Sequence, residues 1–402
     1  MKIARLIIFL LLSVQLFPQS TGFFSVKGKE IVNPEGKPVL LKGIGLGNWL
    51  VPEGYMFKFD KISSPRLISD LFNILLGEVE ASKFWQKFRQ DYITRDDINF
   101  IKERGFNSVR VPFNYRLFVG AAPEYRLEGP GYALLDSAVK WCREVNLPVV
   151  LDMHCAPGGQ TGDNIDDSYG YPFLFESEEN TALTVKIWKH LAERYANEKI
   201  VIGYDILNEP IAHYFDKEKL NPLLEPFYKR VTAAIREVDK NHIIILGGAQ
   251  WDSDFSVFGP PFDDKLVYTF HKYWTPATRD VIMHYIEFRD KYNAAIWMGE
   301  SGENTNEWIA EFVQTLEKDN TGWAFWPYKK LDSPRGILSV TPPEGFETII
   351  NFAKNFDVSY GYIRDSKIDY PKVREILFNY LENIKLKNCT VNSEYLKALG
   401  LK

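Results

Sequence analysis

The chain has 402 residues, 45% hydrophobic and 25% charged, enough apolar material for a large packed core and too much for a disordered chain. Its formal charge is −5, from 48 Lys and Arg against 53 Asp and Glu with the signs interleaved, so neither nucleic acid nor an anionic membrane is an expected partner. Aromatic residues reach 15%, including 10 Trp and 21 Tyr, a surplus suited to stacking on sugar faces.

The N-terminus, "MKIARLIIFLLLSVQLFPQSTGF", sets Lys2 and Arg5 before an apolar stretch from Leu6 to Phe17, then turns small and polar. This pattern predicts a secretory signal over 1–22 and a chain exported to the extracellular or periplasmic space; the stretch is short for a membrane span. The three cysteines, Cys142, Cys155 and Cys389, are too few for a disulfide framework and are expected as buried thiols, with one bridge plus a lone thiol as the alternative.

From there a structural period runs through the chain. Strands are predicted at 39–47, 106–115, 148–156, 200–209, 242–251, 266–274, 295–303 and 322–329, each rich in Val, Ile and aromatics. Amphipathic helices are predicted at 95–104, 131–146, 181–196, 225–239, 277–292 and 305–318, with two more near 346–355 and 371–386. Near-continuous apolar strands alternating with helices imply a parallel sheet covered by helices, and eight such units imply an α/β closed (β/α)8 barrel of the triosephosphate isomerase type. No linker divides 23–402, which is expected to be one catalytic domain. Residues 54–93 and the Gly- and Asp-rich stretch 156–178 are expected as insertions on the catalytic rim.

In such a barrel the C-terminal strand ends share one mouth, so polar residues there are functional candidates. Read in order they are Arg110, His154, Asn208 and Glu209, His271 and Tyr273, Glu300, and Trp326. Taken singly, Glu209 is equally well a helix cap, Arg110 an ion-pair partner and Trp326 core; gathered at one mouth, polar groups are costly to bury unless they form a site. Two carboxylates on different strands are what glycoside hydrolysis requires, one to protonate the leaving oxygen and one to attack the sugar or activate water. Arg110 and Tyr273 suit holding a carboxylate ionised, Asn208 suits a sugar 2-hydroxyl, and Trp326 suits the floor of a sugar site.

At these residues the sequence resembles glycoside hydrolase family 5, over about 39–330. "DILNEP" matches the family's Asn-Glu-Pro at the fourth strand, which implies Glu209 as acid/base beside Asn208; "WMGESG" matches the Gly-Glu of the seventh, which implies Glu300 as nucleophile. "NSVRVPFNY" carries the family's Arg as Arg110, "DMHCAPGGQ" its His as His154, "FHKYW" its His-x-Tyr as His271 and Tyr273, and "GWAFWPYK" its Trp as Trp326. "GIGLGNWLVPEGY" and "HCAPGGQTGDN" look like the exo-1,3-β-glucanase branch, which implies Glu53 and Gln160 in the sugar pocket. Three positions depart from that branch: Ser301 where an aromatic is usual, Tyr328 where a second Trp is common, and Asn48 for a Gly.

The expectation is a secreted, monomeric, retaining β-glycoside hydrolase of β-glucan, needing no cofactor or metal, with carboxyl groups about 5 Å apart. A β-mannanase, another β-glycosidase of the family, or a carbohydrate-binding barrel without chemistry are the alternatives, and retention of both Glu209 and Glu300 counts against the last. Asp163, Asp166 and Asp167 form a solvated loop in this reading, since their spacing fits no standard calcium loop. Six histidines without a paired metal motif, and a "PGGQTG" stretch without Gly-Lys-Ser/Thr, disfavour a metal hydrolase and a nucleotide site.

Overall fold

The computed structural model describes residues 22–356 and 359–402, so the leader expected at 1–22 lies, apart from Gly22, outside the described residues. A short antiparallel hairpin, β1 (Ser25–Lys27) and β2 (Glu30–Val32), comes first. Eight parallel strands follow: β3 (Lys42–Gly45), β4 (Ser108–Asn114), β5 (Val149–Cys155), β6 (Val201–Asp205), β7 (Ile243–Gly247), β8 (Leu266–Lys272), β9 (Ala295–Gly302) and β10 (Gly322–Trp326). They close in sequence order, with β10 pairing both β9 and β3. Every residue of β4, β5, β6, β7, β9 and β10 is buried, because helices cover the outer face and side chains fill the inner one.

The helices form where amphipathic stretches meet a cap. Thr94 and Asp97 make a reciprocal capping box before Arg95–Glu103, Ser177 caps Glu178–Tyr195, and Thr305 caps Asn306–Lys318. The helix expected at 225–239 begins earlier, at Lys217, capped by Asp216. Pro222 and Pro226 lie inside it on its exposed side, where the carbonyls they leave without an amide partner face outward.

The bottom of the barrel is closed. Phe24 and Ile31 of the hairpin region join Val150, Ile202, Ile243, Val267 and Trp297, from the lower halves of the strands, in one apolar cluster. The catalytic rim carries the two expected insertions. Helices Pro65–Leu76 and Glu78–Asp91 make up most of 54–93, and the 156–178 loop meets them where the Arg66 N–H donates to Asp167 at 2.7 Å and its guanidinium lies 4.2 Å over Tyr169. After β10 the chain forms a small sheet, β11 (Lys329–Leu331), β12 (Leu338–Val340) and β13 (Thr390–Val391), and helices that include Phe346–Lys354 and Tyr370–Asn383. All three cysteines are free thiols, Cys142 and Cys155 buried. Among the described residues no helix is long and apolar enough to cross a membrane.

Candidate active site

Arg110 is the hub. It stands on the inward face of β4, fully buried, and its guanidinium reaches three other strands or their extensions. Nε donates to Asp205 of β6 at 2.9 Å, Nη1 to Glu300 of β9 at 2.7 Å, and Nη2 to Asn208 at 2.9 Å while lying 3.2 Å from Asp152 of β5. Tyr273, just past β8, donates its hydroxyl to the other oxygen of Glu300 at 2.8 Å. Both oxygens of Glu300 are therefore met by donors, one of them a permanent cation. Burial pushes the Glu300 carboxyl above its ordinary value, and the Arg110 guanidinium is among the groups that work against that shift and limit it.

Glu209 is placed differently. Asn208 and Glu209 were expected within the fourth strand, but the ladder stops at Asp205. The chain then turns, with Glu209 at φ +47°, and its backbone N–H goes to Asp252 at 3.2 Å rather than to a neighbouring strand. That turn aims its side chain across the mouth, where an oxygen of Glu209 comes within 4.8 Å of one of Glu300. Its side-chain partner is Nδ1 of His271, at 2.9 Å. Burial raises the Glu209 carboxyl to about 7, with His154 opposing and Glu53 adding to the rise. His271 is driven the other way, to about 3, because burial disfavours its cation.

His154 sits between these groups. Burial alone would lower it, but the Asp152 carboxylate, 2.8 Å from Nδ1, carries it up to about 10. Its Nε2 faces Asn208 Nδ2 at 3.3 Å and Glu53 at 3.4 Å. The mouth thus brings together Arg110, His154, Asn208, Glu209, His271, Tyr273, Glu300 and Glu53.

Two expected pocket residues take other places. Gln160 is fully buried and spends its amide on backbone, accepting from Ala156 N–H at 2.9 Å and donating to the carbonyls of His154 and Asn208 at 2.7 and 2.8 Å. It fastens the loops beneath the site and presents no free group to a sugar. Trp326 exposes only 2% of its surface. It lies parallel to the His154 ring at 5.4 Å, against Gly47, where a Cβ would come within 2.6 Å of the indole, and its N–H donates to Tyr55 at 2.6 Å. The open aromatic face belongs to Trp274, next to Tyr273 and 77% exposed, which sequence reasoning passed over although it ends the same "FHKYW" motif.

The three departures from the resemblance have structural roles. Asn48 adopts φ +67°, a conformation Asn tolerates best after Gly, and its side chain accepts the Glu53 N–H at 3.2 Å. Ser301 ties β9 to β8 by donating to the Lys272 carbonyl at 2.6 Å. Tyr328 turns away from the mouth and donates to Asp97 at 3.0 Å. The aspartates of "TGDNIDDSYG" are loop braces: Asp166 accepts from Thr161, Gly162 and Ser168 N–H groups, Asp167 from Asn114, Arg66 and Arg116, and Asp163 from Tyr214 and Asn164.

Sequence reasoning also missed Asp152, Asp205 and Asp252, three fully buried carboxylates under the site. The first two carried a signal, a lone acid interrupting an apolar strand in "VVLDMH" and "VIGYDI"; Asp252, in the loop after β7, carried none. Beyond the Pro52–Glu53 segment a separate cavity of about 330 Å³ opens between the insertion helices and the β4 loop, lined by Trp49, Trp85, Arg89 and Arg116 among others and by neither catalytic candidate.

Comparison with known proteins agrees with this layout. The family model described as "Cellulase (glycosyl hydrolase family 5)" matches residues 72–332. A β-xylosidase of Phanerodontia chrysosporium is 28% identical over 82% of this chain and 75% of its own length. A glucan 1,3-β-glucosidase of Lachancea kluyveri is 29% identical over 54% of this chain and 53% of its own. The structure of Thermotoga maritima Cel5A in complex with cellobiose shares the fold with a TM-score of 0.54 at 21% identity, covering 90% of this chain and 97% of that one. With the closed eight-stranded barrel and the family match over most of its length, the chain belongs to glycosyl hydrolase family 5 and is a glycosidase acting on O-glycosyl bonds.

Proposed function

We propose that the protein is a secreted, retaining β-glycosidase that removes sugars from the end of a β-glucan, with Glu300 as nucleophile and Glu209 as acid/base. The observation that carries this reading is the pair itself: two buried carboxylates with oxygens within 4.8 Å, one held by Arg110 and Tyr273, the other bonded only to a neutral imidazole. A separation of this order leaves no room for a water between nucleophile and sugar, as inversion needs at roughly 6.5–9.5 Å. Glu300 attacks the anomeric carbon while Glu209, protonated near neutral pH, gives its proton to the leaving oxygen; Glu209 then takes a proton from the water that releases the sugar. Asn208 positions the 2-hydroxyl and Trp274 offers its open face to a ring further out.

Action from a chain end is supported by the closed side of the rim, where the insertion docks on the 156–178 loop through Arg66, Asp167 and Tyr169. A glucan substrate is supported by the likeness to the glucan 1,3-β-glucosidase, and secretion by the leader pattern.

The test is sugar release by residues 23–402 on laminarin, mixed-linkage glucan, carboxymethylcellulose and mannan, with an aryl β-xyloside added because of the β-xylosidase likeness, and Glu300→Gln as control. Single sugars from laminarin, released first as the β-anomer by proton NMR, are the expected result. Release of the α-anomer first would overturn retention, and mixed oligosaccharides as first products would overturn attack from the end.

A further inference from the structure

Beneath Glu209 lies a third carboxylate held in a strained place. Gln250, Trp251 and Asp252 are consecutive non-glycine residues with φ of 58°, 62° and 57°. Left-handed backbone at three side-chain-bearing residues persists only where the surroundings fix it, and such strain gathers at functional sites. Gly247 supplies part of that fixing, since a Cβ there would stand 1.9 Å from an oxygen of Asp252. Asp252 Oδ2 accepts the Glu209 N–H at 3.2 Å and is also 3.2 Å from His271 Nε2, a buried atom with no aligned hydrogen bond among the described residues, while the Nδ1 of that ring lies 2.9 Å from Glu209 Oε1. The His271 ring stands between two carboxyl groups.

We propose that Asp252 is a positioning residue for Glu209: by accepting the Nε2 proton of His271 it fixes the tautomer whose Nδ1 lone pair faces Glu209, and so keeps the catalytic proton on Glu209. This rests on the reading of Glu209 as acid/base.

Oδ2 already takes the Glu209 N–H and so meets Nε2 as an acceptor. With Nε2 protonated, Nδ1 is a bare acceptor, which Glu209 satisfies only as the acid donating its O–H. In the first step Glu209 gives that proton to the departing oxygen, and its carboxylate is left facing a lone pair. The repulsion ends when Glu209 takes a proton from the attacking water. Burial, with Asp205 and Glu209 nearby, pushes the Asp252 carboxyl well above its ordinary value, and a proton on Oδ1 leaves Oδ2 an acceptor; His271 keeps its Nε2 proton and Asp252 its protonation state through both steps, so the protons balance. The burial that holds His271 near 3 keeps the ring neutral throughout. Other groups act on the two carboxylates: His154, Glu53, Arg110, Asp152, Glu300 and Tyr273 on Glu209, and Asp205, Arg110, Tyr228 and Tyr285 on Asp252. Of the side chains named, His271 is the one in direct contact with both.

The experiment is kcat/KM against pH on the best oligosaccharide of the glycan panel, for wild type, Asp252→Asn and Asp252→Ala, together with the 15N shifts of the His271 ring in wild type. The expected result is a basic limb moved about one pH unit down in Asp252→Ala, hence about tenfold less activity on the alkaline side, because the freed ring can turn its proton toward an ionised Glu209. Asp252→Asn, whose Oδ1 still accepts from Nε2, keeps the wild-type limb, and the ring shifts show Nε2 protonated. An unmoved limb in the Ala variant, an Asn variant shifted as far as Ala, or a ring protonated at Nδ1 would each overturn the proposal. If the Ala variant does not fold, the Asn limb and the ring shifts still decide. The shifts need no turnover, so a protein that cleaves no glycan defeats the functional reading while the tautomer is still measured.

Discussion

Two of the clusters that bury charge among the described residues treat it in opposite ways. Lys329, fully buried beside the barrel, donates to Asp97 at 2.9 Å and to the carbonyls of Tyr92 and Ile384 at 2.6 and 2.8 Å, so all three of its protons are placed. Asp97 is likewise filled, accepting from Tyr328 and from the N–H and hydroxyl of Thr94. At the mouth Arg110 is just as hidden, yet Asp152, Asp205 and Asp252 each keep an oxygen with no partner among the described residues. A fully satisfied network fixes structure, whereas a partly satisfied one holds unspent electrostatic energy and shifts pKa values. Burial itself does not separate the two; completeness of hydrogen bonding does.

Substitutions can break or sharpen this contrast. The largest effect belongs to the mouth: Glu300→Gln should cut kcat by about 10⁴-fold or more while leaving the melting temperature close to wild type. A variant that lost stability in proportion to activity would show the mouth to be structural after all. Lys329→Met should do the reverse, costing about 3–5 kcal/mol in denaturant unfolding by stranding Asp97, with kcat per folded molecule kept. Loss of turnover without loss of stability there would erase the distinction.

A smaller effect follows from the proton on Glu209. Its carboxyl rises on folding from 4.5 to about 7, so the folded state binds the proton more tightly than the unfolded state. Stability from this source is complete below about pH 4.5 and is lost as pH climbs to about 7. Glu209→Gln has no proton to lose, so it should match wild type at pH 4 and exceed it by on the order of 2 kcal/mol above pH 7, seen in unfolding curves at the two pH values. Equal stability at both would mean Glu209 is not strained by its burial. The smallest effect is expected at the rim: Trp274→Ala should raise KM for a glucan oligomer about threefold to tenfold and leave an aryl monoglycoside unchanged.

The barrel was legible because its strands are unmistakable: "VVLDMH" and "VIGYDI" are apolar runs that only a sheet covered on both faces accommodates. Glu209 and Glu300 were legible for a topological reason, since parallel strands point their ends at one mouth. What escaped was orientation. Trp326 is roofed by Tyr55 and Gln160 is spent on backbone carbonyls, and neither fact is written in residue type. Asp252 escaped because its position depends on a backbone turn and on Gly247, two features linked only through space. The helix expected at 225–239 starts at Lys217 instead, because Pro222 and Pro226 sit on an exposed face that absorbs them.

The hairpin that stoppers the lower end gives the barrel a single opening. Solvent or hydronium exchanging with the acids beneath the mouth must enter by that opening. Whatever occupies the mouth over Glu300 and Glu209 therefore also screens the buried acids beneath it from bulk water.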